Sequence, residues 1–167
     1  MRLLIQRVLW ARVEVQGRNV GHIENGLLIY VGVAAGDLAR PAQWLPLADK
    51  VAQLRIFEDD AGKMNLNVQD RTGGAVLVVP NFTLLADARK GRRPSFDAAA
   101  PADEGQQVLD QFVQALKAAG LDVAQGQFGA DMLIENEADG PVNVIIDSPS
   151  PDALAHSEAP PPMAGNP

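Results

Sequence analysis

Few residues in this chain have the type and placing to do chemistry. Asn81, Phe82 and Thr83 follow directly on Pro80, where the apolar run Ala75–Val79 gives out. A strand that runs out at a proline leaves backbone N–H groups without ladder partners, and such donors can line an oxyanion hole. Thr83 places a hydroxyl beside them. Gly140-Pro141 is a second such place, because a fixed Gly–Pro turn presents two carbonyls in one direction and two acceptors can hold an ammonium group. Each has a plainer reading that is preferred in isolation: a structural threonine at a strand end, and an ordinary hairpin turn. A third place is the run Arg89, Lys90, Arg92 and Arg93, four of the 14 basic residues within five positions. It is either a solvated loop or a contact site for phosphates.

The usual catalytic signatures are missing. There is no G-x-S-x-G elbow, no P-loop and no H-E-x-x-H. The two histidines are His22, in an expected hairpin, and His156, near the C-terminus; they make neither a metal centre nor a convincing triad. Glu58-Asp59-Asp60 precedes Gly62 and reads as turn chemistry. The lack of cysteine removes disulfides, thiolate metal sites and thiol nucleophiles together. No metal or cofactor is expected.

The elements that must position these residues follow from apolar periodicity. Met1–Val8 reads as a strand, Val13 and Val15 as part of a half-buried one, and Leu27–Val33 and Ala75–Val79 as buried strands. Trp44, Leu47, Val51 and Leu54 are spaced as one helix face. Ala102–Ala119 is the clearest helix, with Val108, Leu109, Phe112, Val113 and Leu116 as its stripe and Gly120 as its stop. Val123 opens a further strand, and Met132–Glu135 and Val142–Asp147 read as two more, separated by a turn at Asp139-Gly140-Pro141. About seven strands and two helices in no alternating order predict an α+β fold in a single domain over residues 1–147. Ser148–Pro167 holds six of the 12 prolines and reads as a disordered Pro/Ala-rich tail. No apolar run approaches membrane-spanning length, and a cytoplasmic location is expected. A formal net charge of −7 argues against non-specific nucleic-acid binding, so DNA is not an expected partner.

Taken together, these pieces resemble a family. Ile5-Gln6-Arg7-Val8, Phe57 with Gly62-Lys63-Met64-Asn65, Phe82-Thr83-Leu84, Gly91-Arg92-Arg93-Pro94-Ser95-Phe96, Phe128-Gly129-Ala130-Asp131-Met132 and Gly140-Pro141-Val142 occur in the order and approximate spacing of the D-aminoacyl-tRNA deacylases, from Met1 to about Asp147. The resemblance implies barrel-like β-sheets with two principal helices and a homodimer with active sites at the subunit interface. It implies hydrolysis of D-aminoacyl-tRNA, and of glycyl-tRNA mischarged on tRNA-Ala, as chiral proofreading. Gly140 and Pro141 of one subunit would reach into the partner's pocket, their carbonyls holding the α-amino group and excluding an L side chain. Arg7 matches the arginine that holds this turn. Phe82 and Thr83 would supply backbone donors to the oxyanion, with Asn81 beside them. Phe128, Ala130 and Met132 would bind substrate, and Arg89, Lys90, Arg92 and Arg93 are candidates for contacting tRNA. Assistance from the terminal ribose 2′-hydroxyl would replace a protein nucleophile. The chain departs from the pattern at Pro80-Asn81, where the family has Ser-Gln, and at Ala138 and Asn143, where it has Asn and Thr. Pro80 resembles a chirally relaxed branch and Arg7 the strict one. A relaxed deacylase acting on L-aminoacyl-tRNA and an inactive tRNA-binding relative therefore remain open.

Overall fold

The computed structural model describes residues 1–89 and 91–149. Among them, eight strands and three α-helices run in chain order: β1 (Arg2–Val15), β2 (Arg18–Ile23), β3 (Asn25–Gly32), α1 (Pro41–Trp44), α2 (Pro46–Ala52), β4 (Phe57–Glu58), β5 (Met64–Leu66), β6 (Gly74–Pro80), α3 (Ala102–Ala118), β7 (Val123–Gln125) and β8 (Leu133–Asp147). The fold is α+β, as the unalternating order of elements predicts.

The main sheet has the order β2-β1-β3-β6-β7, with β8 on the other side of β1. β3, β6 and β7 are mutually parallel, and the remaining pairings are antiparallel. The sheet curls until β2 approaches β7. A Cβ on Gly21 would stand 2.6 Å from the Gln125 carbonyl oxygen, so only glycine admits this near-closure of the barrel. Alternate residues of the central strands serve two cores. Leu27, Ile29, Val76 and Val78 pack under the helices with Trp44 and Phe112, whereas Leu28, Leu77 and Val79 fill the barrel interior with Val8, Ala11 and Val13. Burial on both faces explains why β3 and β6 read as continuous apolar runs.

Three expectations need correction. Met1–Val8 and the segment holding Val13 and Val15 are not separate strands. They form one 14-residue strand that pairs with β3 through Val8 and with β2 from Ala11. The expected single helix over Trp44–Leu54 is two helices, because Pro46 has no N–H to continue the ladder and starts a new first turn. The two strands expected around Asp139-Gly140-Pro141 are one strand, β8, both halves of which pair with β1. α3 carries the predicted stripe, buried throughout.

Arg2 and Asp147 clasp the ends of β1 and β8 through two hydrogen bonds of 2.7 and 2.9 Å, which hold the Asp147 carboxyl below the ordinary carboxylate range. Ser148, expected in the tail, still donates its N–H to the Met1 carbonyl at 2.9 Å. The rest of that tail from Ser150 lies outside the described residues. No helix among the described residues is long and apolar enough to cross a membrane.

Candidate functional site

The parallel strands β3 and β6 end side by side, and a cavity of about 430 Å³ opens beyond their carboxyl ends. Such a position is where sheets of parallel strands commonly bind ligands. Val31, Pro80, Asn81 and Phe82 line one side, α3 contributes Gly105 and Leu109, and Phe128, Ala130 and Met132 form the far wall. The cavity thus gathers Asn81, Phe82, Phe128, Ala130 and Met132, five of the residues singled out in the sequence. Asp131 is its only titratable lining residue among the described residues, so the cavity contains no acid–base pair and no activated nucleophile.

Asn81 organises the mouth. Its N–H donates to the Val31 carbonyl at 2.8 Å, extending the β3–β6 ladder one step past Pro80. Its side-chain oxygen caps the 3₁₀ turn Phe82–Leu85, accepting from the Thr83 N–H at 3.1 Å and from the Thr83 hydroxyl. The sequence suggested open backbone donors at both Phe82 and Thr83, but Asn81 occupies the one on Thr83. The Phe82 N–H has no acceptor among the described residues. The Thr83 hydroxyl donates to an amide oxygen, which is far too weak a base to take its proton. The Phe82 ring is 56 % exposed and meets Phe96 edge-on, with centroids 5.1 Å apart.

Gly140-Pro141 lies elsewhere. Gln6 pairs with Asn143 and Val8 with Ala138, so a single residue of β1, Arg7, faces the four residues Asp139–Val142 in a wide bulge. Gly140 and Pro141 stand out from the surface, joined by a cis peptide, and neither lines this chain's own cavity. Arg7 is buried beneath them. Its guanidinium donates to the Ile56 carbonyl at 2.7 Å and the Asp139 carbonyl at 3.2 Å, and pairs with the Asp139 carboxylate at 2.9 Å. Sequence reasoning found Arg7 but missed Asp139 and Ile56.

The basic segment sits on a loop closed by reciprocal Asp87–Ser95 backbone hydrogen bonds of 2.8 and 2.9 Å. Arg89 turns back onto Asp87, at 2.7 and 2.9 Å, and holds that carboxyl below its ordinary range. Arg92 and Arg93 are exposed and form no ion pair among the described residues. Lys90 lies outside those residues. His22 is on β2, in a separate groove with Asp122, and takes no part in the cavity.

Residues 4–147 match the family model described as D-Tyr-tRNA(Tyr) deacylase. The chain belongs to this family. Its similarity to the D-aminoacyl-tRNA deacylase of Geobacter metallireducens is 53% identity over 149 residues, covering 89% of this chain and 97% of that protein. The protein of the same name from Thermotoga petrophila is 49% identical, covering 89% and 97%. Among solved structures, the c-Myc DNA Unwinding Element Binding Protein superposes with a TM-score of 0.80 at 29% identity, covering 90% of this chain and all of that one. A probable eukaryotic D-amino acid tRNA deacylase shares the fold, with a TM-score of 0.74 at 17% identity. In this member of the deacylase family, then, Asn81 and Phe82 line the cavity, and the exposed Gly140-Pro141 bulge does not.

Proposed function

We propose that this chain hydrolyses the ester joining a D-amino acid to the terminal ribose of tRNA, in a cavity completed by a second copy of itself. The observation that carries the reading is the separation of the two halves of the site. The Phe82 N–H borders a cavity whose far side holds one charged group, Asp131, while Gly140-Pro141, braced by Arg7, is exposed on the same chain and lines no part of it. In a two-fold dimer the partner's Gly140-Pro141 closes the cavity, and its carbonyls accept hydrogen bonds from the substrate ammonium. The Phe82 N–H then stabilises the oxyanion that forms when water attacks the ester carbonyl. Asp131 is the one titratable group lining the cavity among the described residues, and the ribose 2′-hydroxyl of the substrate assists the attack. The reaction belongs to the cytoplasmic translation machinery. Incubation of the full chain with D-tyrosyl-tRNA should release free D-tyrosine; an ester as long-lived as in buffer alone would overturn the reading.

The assembly follows from the same geometry. The bulge and cavity occur once in each copy, so two copies satisfy each other in a closed, isologous pair. The exposed Leu9 of β1 and Leu133 and Ile145 of β8 provide apolar area for the contact. Sedimentation at micromolar concentration should give twice the 17.8 kDa chain mass. An active monomer would refute the shared site.

The loop closed by Asp87 and Ser95 holds the tRNA. Arg92 and Arg93 contact phosphates, while Arg89 first has to leave Asp87. Neutralising Arg92 and Arg93 together should weaken tRNA binding and lower the salt slope of log K by about two, as for two lost phosphate contacts. Turnover of bound substrate should barely change. An unaltered slope would leave the loop as solvated surface.

A further inference from the structure

Two buried glycines pack against the far wall of the cavity, and Gly105 also lines it. Gly105 lies in the first turns of α3, and a Cβ built there would stand 3.2 Å from Cζ and 3.5 Å from Cε2 of Phe128. Gly126 precedes the wall segment, and a Cβ there would stand 2.8 Å from the Met132 sulfur. Glycine is a poor residue for a helix interior, and Gly105 does not have a left-handed backbone that would require it. Its small size is therefore what the position uses. Phe128 is half-buried, packed on one side against the core under α3 and facing the cavity on the other. An atom added at Gly105 meets the Phe128 ring before any other group, with the Ala100 Cβ next at 4.0 Å.

We propose that Gly105 is a positioning residue that sets the width of the cavity by letting the Phe128 ring rest against the α3 backbone, with Gly126 doing the same, less stringently, for Met132. The inference rests on the reading of this cavity as the deacylation site. A 3.2 Å approach is tighter than ordinary carbon–carbon contact, so the Gly105→Ala methyl shifts the ring into the cavity by a few tenths of an ångström. A phenyl ring moves as a rigid body, whereas a thioether chain can re-rotamerise around an obstruction. Gly105→Ala therefore narrows the cavity more than Gly126→Ala.

The test measures hydrolysis of D-tyrosyl-tRNA and, separately, binding of its uncleavable amide analogue on 3′-amino-3′-deoxyadenosine. Gly105→Ala should raise KM and the analogue's Kd roughly tenfold, the scale of one methylene misfitted in an apolar pocket. kcat should stay within about twofold, and Tm should not fall, because alanine is the better helix former. In a Phe128→Leu background, Gly105→Ala should raise KM and Kd much less than it does in the parent, and Gly126→Ala should show a smaller rise. Unchanged KM and Kd in Gly105→Ala would overturn the proposal, as would a loss that follows Tm and is not relieved by Phe128→Leu. A parent chain that binds the analogue yet leaves the ester intact would sink the functional reading alone, and the Kd comparison would still decide the role of Gly105.

Discussion

Arg7→Lys should fold and yet hydrolyse D-aminoacyl-tRNA at about one hundredth of the parental rate. The guanidinium reaches three acceptors at once: the Ile56 carbonyl, the Asp139 carbonyl and the Asp139 carboxylate. A lysine ammonium is a point donor on a flexible stem and cannot reproduce that fork, although it keeps the charge opposite Asp139. The bulge would then lose the bond that ties it to Ile56, the residue before β4. A misplacement of about 1 Å in a positioning group is enough for a hundredfold loss. Truncation to alanine is the wrong experiment, because it removes a buried side chain and leaves the Ile56 carbonyl without its donor, which costs about 1–3 kcal/mol of stability. Comparing kcat/KM with Tm separates the two effects. A lysine variant with parental kcat/KM would mean that Arg7 merely fills space.

Thr83→Val should retain measurable activity, reduced by roughly tenfold to a hundredfold, the scale of one orienting hydrogen bond. Valine keeps the β-branched shape. The Asn81 side-chain oxygen keeps its second donor, the backbone N–H of residue 83, at 3.1 Å, so the turn that presents the Phe82 N–H stays in place. Removal of a true nucleophile costs several orders of magnitude and leaves no acyl-enzyme to find. Replacing the terminal ribose 2′-hydroxyl of the tRNA by hydrogen should harm the rate more than Thr83→Val does. The reverse ranking, or an acyl adduct on Thr83 seen by mass spectrometry, would make this a threonine hydrolase.

What could be read without coordinates follows physical range. α3 was legible because Val108, Leu109, Phe112, Val113 and Leu116 report one helix face within a single window. β3 and β6 were legible as apolar runs, though not their burial against two different cores. The union of the two halves of β8 was not legible, because it depends on pairing along β1, from Glu14 with Leu133 to Arg2 with Asp147, far away in sequence and interrupted by a bulge that looks locally like a turn. Asn81 and Phe82 were marked by the strand end at Pro80, Phe128, Ala130 and Met132 by the family pattern, and the five meet at one cavity. The occupation of the Thr83 N–H by Asn81 was missed. An asparagine directly before a short turn, with its side chain on the N–H two residues on, is a familiar capping arrangement, so the signal was present and was outweighed by the proline before it. Asp139 and Ile56 gave no signal, since nothing local marks an acceptor for an arginine far away in sequence. Gly105 did give one, as a glycine inside an otherwise well-formed helix.

The central claim is that a wall of backbone carbonyls, with no side-chain nucleophile, selects the D-ester. The most direct measurement is single-turnover hydrolysis of one tRNA charged either with D-tyrosine or with L-tyrosine, at equal concentration and with excess protein. The account predicts rapid loss of the D-ester and an L-ester that decays no faster than in buffer, because inverting the α-carbon drives the side chain into the partner's Gly140-Pro141. Faster hydrolysis of the L-ester, or equal rates on both, would contradict it.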